Sequence, residues 1–146
     1  MQPSNSLHLL MTGIEIQKAL DDLCADMKAK LPGFRFCGIL SCADGSIIAH
    51  STADPELDKV AAEVAPFFSI IIDQVKLVVA SCASIGVKET HTLLIETNKN
   101  TFVSGISNKG KFFIVLSLER EKANLGIARA LIEGSRPLAT ILDEQL

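Results

Sequence analysis

The chain has no tryptophan and no tyrosine, and seven phenylalanines are its whole aromatic supply. A platform for stacking nucleic-acid bases draws on such side chains, so that class is poorly provided for. Positive charge is short as well. Fourteen Lys and Arg against 17 Asp and Glu leave a formal net charge of -3 over 146 residues, which gives no basic footprint for nucleic acid or anionic lipid. The stretch MQPSNSLHLLMTG contains no Lys or Arg and no apolar region long enough for a signal peptide. It reads as a polar tail over 1–11, with Met11 as an alternative start, ahead of a single domain over 12–146. Among Cys24, Cys37, Cys42 and Cys82 there is no C-x-x-C pair and no zinc spacing with His8, His50 or His91. All four read as buried free thiols of a reducing cytoplasm, Cys37 and Cys42 pointing to opposite faces of one strand. Neither a metal nor a cofactor is called for.

What is present is 48% hydrophobic residues against 21% charged, enough for one domain that buries roughly two-thirds of its unfolded surface. Thr12-Gly13-Ile14-Glu15 is a capping-box pattern, with Met11 placed to staple onto Ile16. Ile16, Leu20, Leu23, Met27 and Leu31 then mark one face of a helix that Pro32-Gly33 ends. FRFCGILSC and SIIAHS flank Ala43-Asp44-Gly45, a strong hairpin signal. Asp54-Pro55-Glu56 opens a second helix that can run to about Ser81, with a kink expected at Pro66. Three strands follow, HTLLIET, TFVSGIS and KFFIVLSL, the last apolar on both faces and so expected at the centre of the sheet. ANLGIARALIEG starts a final helix, broken or kinked at Gly134 and Pro137 before LATILDEQL. Hairpin-length connections joined by helices give an α+β domain with an antiparallel sheet, in the order α-β-β-α-β-β-β-α.

Two local patterns imitate chemistry. Gly105 to Lys111, GISNKGK, matches seven positions of the phosphate-binding loop, but Phe112 follows where Ser or Thr must hold Mg²⁺, and the segment joins two strands. A three-residue hairpin with Gly110 left-handed is the better account. His50, Ser51 and Asp54 have the residue types of a hydrolytic triad but sit together at one strand end, where a base cannot lie between its partners. His91 is a similar lone case. The alternating charges of Glu119, Arg120, Glu121 and Lys122 mark a solvated turn; Lys109, Lys111, Arg120 and Lys122 could together rim a partner site. No constellation supports an enzyme.

The second helix holds the main question. Its longest uncharged runs, Val64–Ile72 and Leu77–Val87, are too short for a bilayer span of roughly 20 apolar residues, so no direct membrane insertion is expected. At about 100° per residue, Val60, Val64, Phe67, Phe68, Ile71, Val75, Val78, Val79 and Cys82 share one face, the expected core face. Lys59, Glu63, Ser69, Asp73 and Lys76 take the other. Ile70 and Leu77 are left on that polar side, flanked by Glu63, Pro66, Asp73 and Gln74. They are either covered by a loop or part of a second contact surface across a homodimer.

GILSCADGSIIAHS and KANLGIARALIEG resemble the first hairpin and the start of the last helix of the Roadblock family, named for a dynein light chain. The order of elements agrees from about Ile14 to Ile132. The resemblance implies a Roadblock/profilin-like fold: five antiparallel strands, the long second helix on one face, the first and last helices on the other. It implies dimerisation through the edge strand His91–Thr97 and the helix Asp54–Ser81, with Glu63, Pro66, Phe67, Ile70, Asp73, Gln74, Leu77, His91, Leu93, Leu94 and Ile95 at the interface. Such dimers are scaffolds or regulators of Ras-like small GTPases, some accelerating GTP hydrolysis by positioning the partner's own groups. Others act in motor or trafficking assemblies. A cytoplasmic, non-enzymatic homodimer with a small-GTPase partner is the expectation; a small-ligand-sensing domain or a structural assembly component is the alternative.

Overall fold

A computed structural model describes residues 12–145; the 1–11 tail, His8 and the Met11 staple lie outside them. The order is α1 (Gly13–Lys30), β1 (Phe34–Ser41), β2 (Ile47–Thr52), α2 (Pro55–Ser81), a single 3-10 turn (Ala83–Ile85), β3 (Leu93–Glu96), β4 (Asn100–Ile106), β5 (Phe112–Glu119), α3 (Leu125–Gly134) and α4 (Arg136–Gln145). The strands form one antiparallel sheet ordered β2-β1-β5-β4-β3. β5 is central, as its two apolar faces require.

Alternation along β5 divides the interior. Phe112, Ile114, Leu116 and Leu118 join Ile16, Leu20, Met27, Ala128, Ile132 and Leu142 under α1, α3 and α4. Phe113 and Val115 join Leu40, Ala65, Ile72 and Ile106 under α2. Cys37 packs in the first core and Cys42 in the second, on opposite faces as expected. All four cysteines are free thiols; three are buried, while Cys82 is only half-buried beside the open end of α2. A hydrogen bond with the Cys24 side chain, together with burial, pushes the Cys37 thiol well above its ordinary range, so it is inert as a nucleophile.

Local chemistry sets the element ends. The Thr12 hydroxyl accepts from Glu15 N at 3.1 Å, and the Asp54 carboxylate accepts from Glu56 N at 3.0 Å. The Asn124 side chain accepts from Ile127 N at 3.0 Å, which explains the Asn-Leu-Gly step at the start of α3. α3 and α4 part at Ser135, between Gly134 and Pro137. At the first hairpin Asp44 accepts from both the amide and the hydroxyl of Ser46, which hold its carboxyl below the usual range. Gly45 has φ +76, and a Cβ there would stand 2.6 Å from the Ala65 carbonyl oxygen. Both conformation and contact therefore require glycine at the point where the hairpin meets α2. Gly45→Ala is expected to cost on the order of 3 kcal/mol in chemical denaturation, combining left-handed strain with displacement of a helix backbone.

Candidate functional site

α2 is the least covered of the four α-helices. Over its 27 residues only Ala65, Ser69 and Ile72 are buried. Phe67 is 62% exposed, Leu77 60%, Val78 62% and Ile70 56%. By length and composition α2 could cross a membrane; here it is a sheet-packed helix, continuous through Pro66, rather than one visibly broken there.

The face that packs overlaps the expected core face only in part: Phe68 and Val75 pack against the core as expected, but the packed side is rotated toward Ser69 and Lys76. Ser69 lies inside, 5% exposed, its hydroxyl donating to the Cys42 carbonyl at 2.6 Å. Lys76 is half-buried and donates to the Gly110 carbonyl at 2.6 Å, with Asp73 3.9 Å away. The sheet thus presents α2 with turn carbonyls as well as hydrocarbon. Polar residues of the helix turn inward to satisfy them, and Val60, Phe67, Ile71 and Val78 are turned outward. Ile70 and Leu77 are exposed, with no loop over them among the described residues. The outward row Phe67, Ile70, Ile71, Gln74, Leu77, Val78 has heptad-like spacing.

Beside this row runs the edge of the sheet. β3 pairs with β4 on one side, Leu93 opposite Ser104 and Ile95 opposite Phe102, and no strand lies on its other side among the described residues. An open apolar groove between α2 and the chain entering β3 is lined by Ile70, Gln74, Val78, His91 and Leu93. Helix and edge strand, which the family resemblance assigns to one interface, are thus continuous. Glu63, Pro66 and Asp73 are exposed along its flank.

Two residues fall differently from expectation. β3 begins at Leu93, not His91: the His91 carbonyl accepts from the Arg136 guanidinium at 3.2 Å instead of joining the ladder, and its ring lies 3.0 Å from Glu89. The Leu94 side chain packs against the core under α1, α3 and α4, so only its backbone belongs to the edge.

The basic rim divides. Lys109 and Lys111 precede β5 while Arg120 and Lys122 follow it, about 26 Å apart at 3.3 Å per residue over its eight residues. Lys122 pairs with Glu119 at 3.5 Å and Lys111 donates to the Asp143 carbonyl at 3.1 Å. One partner patch cannot be built from all four at close range.

The motifs that imitate chemistry are structural. Gly105–Lys111 is the β4–β5 hairpin, with Gly110 at φ +73. The Ser51 hydroxyl donates to the Cys24 carbonyl at 2.6 Å, while the His50 ring stacks on Phe36 with its Nε2 3.4 Å from Asp58. Among the described residues no group of three His, Cys, Asp or Glu could hold a metal ion. Sequence reading missed Asp143, 1% exposed near the chain end. It accepts from the Ser107 hydroxyl at 2.6 Å and from Lys109 N at 2.8 Å, fastening α4 to the β4–β5 turn. Its partners are more than 30 residues away, beyond any local pattern.

No family model and no curated protein matches the chain. Solved structures do. MglB of Myxococcus xanthus aligns with a TM-score of 0.66 at 17% identity, over 93% of this chain and 100% of that one. The gliding protein MglB of Thermus thermophilus gives 0.64 at 18%, over 92% and 95%. A Roadblock/LC7 domain from Streptomyces avermitilis gives 0.61 at 19%, over 81% and 95%. What these identities establish is shared architecture: the chain has the Roadblock/LC7 fold.

Proposed function

We propose that the protein is a non-enzymatic homodimeric scaffold or regulator of a Ras-like small GTPase. The observation that carries this reading is the outward apolar row of α2 running beside the unpaired edge of β3. A two-fold partner that pairs β3 with β3 would close both edges into one sheet and seat its own α2 against the groove lined by Ile70, Gln74 and Val78. Phe67 and Leu77, which the family resemblance assigns to the dimer interface, do not line that groove, and in this reading they face the GTPase instead. Likeness in fold to the MglB structures supports a regulator of this kind.

The test is binding of a small GTPase encoded beside this protein's gene, loaded in turn with GDP and a non-hydrolysable GTP analogue. Affinity is expected to differ between the two loaded forms. Phe67→Ala with Leu77→Ala should weaken the better one at least tenfold, the scale of an anchor side chain at an interface, while leaving the dimer intact in sedimentation. Equal affinity for both nucleotide states would remove the regulatory reading.

A further inference from the structure

The two halves of α2 meet the sheet differently. In its second half Ser69, Ile72 and Lys76 reach turn carbonyls or the core. In its first half the residues facing the sheet include the small Ala61 and Ala65, and a cavity of about 120 Å³ remains beneath them. Its floor comes from Phe36 and Phe102, which flank Ser117 of β5 on neighbouring strands, and from Val115 two residues along β5 on the same face. Water entering this partly open space meets mostly apolar walls, so covering them with hydrocarbon is favourable.

Three features set what would fill it. No charged residue lines the cavity. At one end stand Asn100 and Ser117, on neighbouring strands, whose side-chain amide and hydroxyl take no hydrogen bond within the described residues. The volume approaches the roughly 150 Å³ of an apolar protein cavity that admits benzene. Largely apolar walls with a few convergent polar groups are the usual construction of a small-molecule site.

From these we infer that the space between α2 and the sheet is a binding site for a small uncharged amphiphile. Its apolar body, on the order of six to eight carbons, lies over Phe36, Phe102 and Val115, and a hydroxyl, amide or carbonyl head meets Asn100 and Ser117. A carboxylate head is disfavoured, since no cation lines the site to offset its desolvation. The inference stands apart from dimerisation: the cavity lies under the first half of α2, the interface groove along the second.

The experiment is thermal unfolding of the full chain with n-hexanol, n-octanol and n-octanoate, alongside methyl NMR of the same titrations. Octanol near saturation is expected to raise Tm by on the order of 5 °C by mass action, octanoate far less, with shifts centred on Val115 and Val64. Ala61→Leu, which fills the space, should hold or raise the ligand-free Tm and abolish the octanol effect. Asn100→Ala with Ser117→Ala should weaken octanol at least fivefold while leaving dimerisation unchanged. The inference is overturned if no alcohol stabilises the protein, if octanoate matches octanol, or if Ala61→Leu leaves the octanol response intact. It is equally overturned if Ala61→Leu breaks the dimer instead, since the occupant would then be a side chain of the second copy.

Discussion

In the proposed dimer, Ile70→Asp together with Val78→Asp should convert a wild type expected to sediment as a dimer into a folded monomer. Both side chains are more than half exposed in the single chain, so the monomer loses little; surface changes of this kind usually stay within about 0.5 kcal/mol. In the dimer both line the groove beside β3, and two-fold symmetry turns two substitutions into four buried carboxylates in a groove lined by no Lys or Arg. Desolvating an unpaired charge costs several kcal/mol, so dimer affinity should fall by about a thousandfold or more. Ile14→Asp is the control. Ile14 is 84% exposed but sits on α1, across the sheet from the groove, and its charge should leave the dimer standing. A wild type that is monomeric at tens of micromolar would remove the interface itself.

How much of this was legible follows from how local the chemistry is. Thr12, Asp54 and Asn124 act on amides two or three residues away, and Asp44-Gly45 closes its own turn, so helix starts and the first hairpin can be read from adjacent letters. The central place of β5 follows from its double apolar face. The orientation of α2 is another matter. Hydropathy alone sends Phe67 and Val78 inward and Ser69 outward, but the side that packs is chosen by carbonyls of Cys42 and Gly110, which lie 27 and 34 residues away in sequence. A separation of 45 residues likewise hides the start of β3 at Leu93, where Arg136 takes the His91 carbonyl. On the outward surface of α2, Ile70 is exposed while Ile71 and Val78, which hydropathy sends to the core, are exposed too, because an outward apolar row has the same composition as one packed on a sheet.

Asp143→Ala should cost on the order of 3 kcal/mol of stability, as much as Gly45→Ala. Hydrogen bonds to a charged group are worth roughly 1.5–3 kcal/mol each, and this carboxylate accepts two at a site 1% exposed. For a domain of this size that corresponds to a fall in Tm of about 6–12 °C. Removing the side chain leaves the Ser107 hydroxyl and the Lys109 amide without their acceptor. Asp143→Asn keeps one acceptor for Lys109 and can donate to Ser107, so it should recover roughly half of the loss. The effect reaches past α4. Lys109 and Gly110 share one turn, and the Gly110 carbonyl holds Lys76 of α2, so loosening the turn loosens the seat of the helix that carries the proposed interface. Hydrogen exchange should therefore speed up in 107–112 and in the last turns of α2, while β2, which pairs only with β1 and not with β5, keeps its relative protection. Uniform acceleration across the sheet would mean that Asp143 merely adds global stability and that α4 and α2 are not coupled through the β4–β5 turn.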